Sequence, residues 1–282
     1  MKLRFWGVRG SIPTPSPDTV AFGGNTSCVS VDFGNHLVIF DAGTGIRPLG
    51  NAVLTRATPP KLHLFLSHLH WDHIQGFPFF APAYRSGYSM DVYGRGNADR
   101  TLGSILAGQM EGPNFPVSLN QLGAALSYQD INPGAAIDLG GSERFAVMRC
   151  VQGNHPNGVL VYRLESAAGQ SIVYATDTEH LPGGPDEGIC SLARGADLLI
   201  YDGMYTPDEY EALHKGWGHS TWEKGFELAC AAGVKAFVVF HHDPSHDDAY
   251  LSELEKKVQA HCRSIAPQMK VLFAREGLEV EL

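Results

Sequence analysis

His68, His70, Asp72 and His73 crowd into six consecutive positions just past an apolar run, Leu62 to Leu66. Leu62, Leu64 and Leu66 alternate with His63, Phe65 and Ser67, the pattern of a strand buried on both faces. Residues two apart on an extended chain point the same way, so His68 and His70 can share one metal ion. Asp72 and His73 lie beyond the strand end, where the chain can bend towards a neighbouring ion. Imidazole nitrogen and carboxylate oxygen suit zinc, and also manganese or iron. A lone histidine at a strand end is ordinarily a hydrogen-bonded polar residue. Four such groups together would strand several polar atoms, at about 1–3 kcal/mol each, unless a cation paired them.

His-x-His-x-Asp-His after an apolar strand resembles the signature of the metallo-β-lactamase superfamily. The resemblance implies an α/β fold, the four-layer αββα sandwich, with one or two metals at the edge of two facing sheets. It also implies where later ligands stand. His155, in Gly153-Asn154-His155-Pro156, matches the third ligand position and would join His68 and His70. Pro156 biases His155 towards extended geometry and excludes a helix there. Asp177 follows the apolar segment Ser171 to Tyr174 and matches the aspartate that bridges two metals in dinuclear members. His241 and His242 follow the strand Val234 to Phe240. The family ligand directly follows the strand, which favours His241, with His242 as the alternative. The second ion would then take Asp72, His73 and His241. Asp41 ends the apolar segment His36 to Phe40. Its expected part is to accept a hydrogen bond from a ligand histidine and fix the tautomer.

Two further segments narrow the activity. WGVRGSIPTP with FGGNTSC resembles the N-terminus of the cyclic-nucleotide phosphodiesterase-like branch. It implies that this glycine-rich loop lines the site. Gly218-His219-Ser220-Thr221 resembles the segment of tRNA 3′-end processing ribonucleases that carries a non-ligand active-site histidine. The implied enzyme is a metal-dependent phosphoric diester hydrolase. Its expected substrate is a small phosphodiester, foremost a 3′,5′-cyclic nucleotide. Its expected cofactors are two divalent ions, zinc first, with manganese or iron also suited. Attack would come from a hydroxide shared by metals roughly 3.5–4 Å apart. His219 would contact a phosphate oxygen or protonate the leaving alkoxide. Ser220 and Glu223 have capping-box spacing, so His219 would precede a helix N-terminus suited to phosphate. Asp72 is the second catalytic candidate, orienting the hydroxide while it ligates. Aspartate rather than cysteine at 177 disfavours β-lactam cleavage. Trp217, Phe115 or Tyr205 could stack on a base. The alternatives are a tRNA 3′-processing-type endoribonuclease, a thioester or lactone hydrolase on the same fold, and a non-catalytic nucleotide-binding module.

The 282 residues carry 21 basic and 30 acidic side chains, a net charge of −9. Such a surface does not attract a long polyanion, so nucleic acid is not the expected partner. Residues 85–135 contain no lysine cluster. Five dispersed cysteines read as reduced thiols, and the expected location is the cytoplasm. The segment around Leu228 to Ala232 suggests a buried role for Cys230. The first residues show no secretory h-region, and no apolar run reaches membrane-spanning length. No linker interrupts the chain, so residues 1–282 read as one domain. The resemblance also allows a homodimer.

The elements that must hold these groups follow from periodicity. Strands are expected over 2–5, 28–32, 36–40, 144–150, 160–164, 171–174, 196–201 and 234–240. Residues 85–135 read as an excursion with one helix near 101–110. The aromatic residues between Ile74 and Tyr84 read mostly as core. Thr206 and Pro207 suit a helix start. Leu251, Leu254, Val258, Cys262 and Ile265 keep helical spacing in a last long helix. Strands at 270–273 and 278–282 close the chain.

Overall fold

Apolar runs of four or five residues, rich in β-branched and aromatic side chains, are too short for buried helices and form most strands. The computed structural model describes residues 1–282. Its first sheet contains β1 (Lys2–Gly7), β2 (Cys28–Asp32), β3 (His36–Phe40), β4 (Lys61–Phe65), β5 (Ser89–Gly94) and β6 (Ala125–Asp130). The second contains β7 (Ala136–Leu139), β8 (Ala146–Gly153), β9 (Val159–Ser166), β10 (Ser171–Ala175), β11 (Leu198–Asp202), β12 (Ala236–Phe240) and β13 (Lys270–Phe273). The last strand, β14 (Glu279–Glu281), returns to the first sheet beside β1. The strand orders are β14-β1-β2-β3-β4-β5-β6 and β13-β12-β11-β10-β9-β8-β7. Each sheet has an antiparallel half and a parallel half. The parallel strands are β3 to β6 in one and β10 to β13 in the other.

Helices cover the outer faces. They are α1 (Ile46–Leu54), α2 (Trp71–Ile74), α3 (Leu102–Gln109), α4 (Glu187–Ala193), α5 (Pro207–Glu209), α6 (Trp222–Ala232) and α7 (Asp248–Ile265). Three apolar layers result. Phe5, Phe40 and Phe65 of the first sheet meet Tyr162, Tyr174 and Phe240 of the second between the sheets. Ile46, Leu49 and Leu106 pack on the outside of the first sheet. Phe226, Leu228, Leu251 and Val258 do so on the second. This is the αββα sandwich, and both parallel halves end at one rim.

Several expectations need correction. Residues 85–135 are no excursion, because they supply β5 and β6 and complete the first sheet. Strand β6 is an edge whose residues stay largely exposed, so its sequence lacks a continuous apolar signal. The strand expected from Arg144 begins at Ala146 and reaches Gly153. The short edge strand β7 was not anticipated. Phe77 and Phe80 are core, whereas Phe79 and Tyr84 face outward. Cys230 is exposed rather than buried, and Ile265 is exposed at the last turn of α7. Helix α6 is capped by Thr221, whose side chain accepts from the Lys224 N–H. The Ser220 hydroxyl is 3.0 Å from His180 Nδ1 instead. No helix is long and apolar enough to cross a membrane.

Candidate metal centre

The rim collects side chains from the C-terminal ends of β3, β4, β8, β10, β11 and β12. Past the end of β4 the chain runs through Ser67 to His68 and His70 and then turns into α2, which carries Asp72 and His73. Strand β8 leads to His155. Asp41, Asp177 and His241 are each the first or second residue past a strand. Their backbones share an uncommon device, with φ of 61°, 51° and 64°. Left-handed backbone costs a non-glycine residue about 1–3 kcal/mol and persists where the surroundings over-determine it. Its threefold use here turns three polar side chains off their strands into one buried cleft.

The ligand-type residues fall into two groups. His68, His70 and His155 form one, with His155 Nε2 3.1 Å from His70 Nδ1. Asp72, His73, Asp177 and His241 form the other, and all four are buried. Asp177 lies between the groups. Its Oδ2 is 3.1 Å from His73 Nε2 and 3.2 Å from His241 Nε2. Its Oδ1 is 3.8 Å from both His68 Nε2 and His155 Nε2. Asp72 Oδ2 is 3.2 Å from His73 Nε2 and 3.4 Å from His241 Nε2. The structure brings together all seven residues named as ligands from the sequence. Of the two consecutive histidines, His241 enters the cleft. His242 turns away, with Nε2 2.7 Å from the Ala274 carbonyl oxygen.

Supporting contacts fix this cluster. Asp41 Oδ2 is 2.7 Å from His73 Nδ1 and accepts from the Tyr174 hydroxyl at 2.8 Å. Its other oxygen accepts from the Ser67 N–H at 2.7 Å. One carboxylate thus orients a candidate ligand and pins the start of the histidine motif. The glycine-rich N-terminal loop does line the site. The Ser11 N–H donates to Asp72 Oδ2 at 2.8 Å. A Cβ on Gly10 would stand 2.6 Å from the His241 ring. The Gly218 carbonyl oxygen lies 2.8 Å from His155 Nδ1.

His219 is held differently from the expected helix-terminus arrangement. Its Nδ1 is 2.8 Å from Asp202 Oδ2 and 3.8 Å from Asp177 Oδ1, leaving Nε2 without a protein partner. Burial disfavours its charged form, but Asp202, Asp177 and Asp72 outweigh that and raise its pKa to about 9. Asp202 was not singled out from the sequence. Its signal was nonetheless present, because a carboxylate ends the apolar strand Leu198–Asp202 as Asp41 and Asp177 follow theirs. Glu179 and His180 stay outside the cluster. Glu179 accepts from Gly216 N–H, Gly218 N–H and the Tyr210 hydroxyl, shaping the loop behind His155. Among the suggested stacking residues, Tyr205 is buried against His214 and Phe115 packs at 5.6 Å from Phe79. Trp217 remains exposed beside Gly218.

The donor chemistry fits two divalent cations. His68 Nε2, His73 Nε2 and His241 Nε2 are buried without hydrogen-bond partners, and orphaned buried nitrogens are costly unless something fills the space between them. Burial opposes ionisation of Asp72 and Asp177, yet the imidazoles of His73 and His241 hold both carboxyls well below the usual range. Burial also opposes a charge on His73, but Asp177, Asp72 and Asp41 push its pKa well up. Burial, with His73 nearby, pushes His68 down. The deeper group is therefore an anionic pocket that attracts positive charge.

Similarity to known proteins agrees with this architecture. The family model described as a beta-lactamase superfamily domain matches residues 36–242. Ribonuclease Z of Brevibacillus brevis is 26% identical over 255 residues, covering 74% of this chain and 76% of that protein. Ribonuclease Z of Methanosarcina mazei is 27% identical, with 88% and 89% covered. Among solved structures, the metallo-beta-lactamase fold protein YhfI from Bacillus subtilis superposes with a TM-score of 0.72 at 17% identity, each chain 99% covered. Human tRNase Z, short form, gives 0.71 at 19% identity, with 100% of this chain and 99% of that one covered. The structural likenesses carry the fold, and the family match carries the ancestry. This chain belongs to the beta-lactamase superfamily and is a hydrolase of the metallo-β-lactamase fold.

Proposed function

We propose that the protein is a two-metal phosphodiesterase whose substrate is an RNA phosphodiester. The observation that carries this reading is the placement of Asp177, which offers one carboxylate oxygen to each histidine group while His219 stands beside it. His68, His70 and His155 would hold one ion. Asp72, His73 and His241 would hold the other, with Asp177 shared. Such a pair supplies charge neutralisation at phosphorus and a water-derived nucleophile near neutral pH.

The chain's own residues do the rest. Ser11 N–H fixes Asp72, and Asp41 fixes His73, so donor atoms are aimed before any cation arrives. Asp202 orients His219 through Nδ1, which leaves Nε2 to donate a proton to the departing alkoxide oxygen. Need for that proton favours phosphodiesters, because an alkoxide is a poor leaving group.

The ribonuclease Z relatives aligned over 74% and 88% of this chain support RNA as the substrate class. The expectation that nucleic acid is not a partner rested on the net charge of −9 and is set aside, because whole-chain charge does not describe a local groove. Hydrolysis of a 3′,5′-cyclic nucleotide is the second reading, and that acidic surface is what favours it. The deciding experiment uses metal-loaded protein and Asp177→Ala with a 3′-extended tRNA precursor, cyclic AMP, cyclic GMP and bis(p-nitrophenyl) phosphate. Cleavage of the precursor, lost in the variant, is expected. Turnover of a cyclic nucleotide with the precursor untouched would install the second reading. Inertness towards all four with two metals bound would overturn phosphodiester chemistry and favour a thioester or lactone.

A further inference from the structure

The rim continues past the metal centre. Strand β5 lies next to β4 and runs parallel to it, so its C-terminal end opens beside the histidine motif. In sheets of this kind ligands bind beyond the carboxyl ends of parallel strands. The residue directly after β5 is Arg95, and the turn that follows carries Asn97 and Arg100. A cavity of about 260 Å³ runs from His68 and His70 to Arg95, Asn97 and Arg100, with Asn157 on its floor. No carboxylate lines it. The cavity opens into a wider groove of about 830 Å³ that shares both arginines and Asn157.

Neither guanidinium is paired with a carboxylate. Most of the chain's other arginines and lysines are paired with carboxylates. Arg95 instead donates to the Gln152 side chain at 2.9 Å, and Arg100 donates to the Ser104 carbonyl at 2.6 Å. Two acids, Asp99 and Asp130, line the wider groove; neither pairs with an arginine, and Asp130 is committed elsewhere. It accepts from the Gly96 and Leu102 N–H groups and so braces the turn that presents the arginines. Asn157 links groove and centre, with its Nδ2 3.3 Å from His70 Nε2. Positive charge, fork-shaped donors and amides are thus held at one end of a cleft whose other end is the metal centre. That combination recognises phosphate oxygens.

We infer that the groove formed by Arg95, Asn97, Arg100 and Asn157 is a substrate subsite for a second phosphate of an RNA strand, next to the one attacked. The inference rests on the phosphodiesterase reading above and sharpens it. A substrate with a single phosphate leaves the subsite empty, so the groove discriminates an RNA strand from a cyclic mononucleotide.

The test compares wild type with Arg95→Gln, Arg100→Gln and the double variant, all metal-loaded. Binding of a fluorescein-labelled phosphorothioate hexauridylate is followed by anisotropy, and turnover is followed with bis(p-nitrophenyl) phosphate. Each substitution is expected to weaken RNA binding about tenfold, the loss typical of one charge-assisted contact. The double variant should flatten the dependence of log Kd on log salt by roughly 0.7 per lost phosphate contact. Bis(p-nitrophenyl) phosphate, with no second phosphate, should be turned over within about twofold of wild type. Unchanged RNA affinity in the double variant would overturn the subsite. So would an equal loss on both probes, since that reports damage to the centre. If the arginines govern RNA binding but no protein cleaves the diester or a 3′-extended tRNA precursor, the groove stands only as an RNA-binding site and the phosphodiesterase reading falls.

Discussion

The two ligand groups of the cleft are built on opposite principles. His68, His70 and His155 bring no charge, and His70 is only half-buried at the mouth, whereas the His155 ring is buried. Asp72, His73, Asp177 and His241 lie deeper and include two carboxylates, with Asp41 as a third behind His73. The deep group has oriented donors and net negative charge before a cation binds. The outer group has matched nitrogens but neither charge nor a carboxylate bracing its rings. His155 is steadied by a backbone carbonyl, and the ring nitrogens of His70 meet His155 and Asn157. A cation in the deep group would therefore be held more tightly than one in the outer group. Asp177 is the carboxylate that faces both groups.

The largest effect should come from removing that carboxylate. Asp177→Ala removes an oxygen from each group and leaves the Nε2 atoms of His73 and His241 facing only Asp72. Turnover is expected to fall on the order of 10³-fold or more, with metal content by elemental analysis dropping below two per chain. Retention of two ions and near-normal turnover would mean that the carboxylate is not shared. Asp41→Asn tests the deep group alone. Loss of the charge behind His73 should weaken one of the two metal affinities about 10–100-fold, as read by competition with a chromogenic chelator. If the weaker, outer affinity shifted instead, the assignment of strong and weak sites would be reversed. His70→Ala makes the complementary cut. It should leave a protein that holds one ion through the deep group, and chelation of the wild type should pass through the same one-ion species.

How much of this was legible in the chain depends on where the information sits. His68 to His73 could be read because a buried strand ends abruptly in four ligand-type residues, and no packing requirement explains such polarity. Asp177 and His241 were legible through the family resemblance, and each lies just past an apolar strand, at the rim where the structure places it. The choice of His241 over His242 needed the fold. Only the left-handed turn at His241 decides which ring enters the cleft. Asp202 shows the same strand-end pattern, yet its importance comes from His219, seventeen residues later, and that pairing exists only in three dimensions. Ser220 misled for a related reason. Its hydroxyl has a competing partner in His180, so the cap passed to Thr221. The balanced charges of residues 85–135 hid the groove, because the fold turns Asp130 into the backbone and leaves Arg95 and Arg100 facing the cleft.

His63 supplies the smallest and most discriminating test, because it is a buried histidine in the same strand that lacks the features of the deep group. Its Nε2 is 3.1 Å from His36 Nδ1, and its Nδ1 is 3.9 Å from Asp91. Lys61 already pairs with that carboxylate at 2.9 Å, so no anionic pocket forms. Burial lowers its pKa to about 4, with Asp91 opposing and His36 and Lys61 reinforcing the shift. An unfolded histidine titrates near 6.5. Between those values the unfolded chain binds a proton that the folded chain refuses, so stability is complete above pH 6.5 and declines as pH falls towards 4. Between pH 7.5 and pH 5 this one ring should cost about 2 kcal/mol. Urea unfolding of wild type and His63→Gln at the two pH values isolates the contribution, since metal loss from the rim is common to both proteins. A variant as pH-sensitive as wild type would mean that His63 finds a cation-stabilising partner after all, and that the contrast with His73 is one of degree.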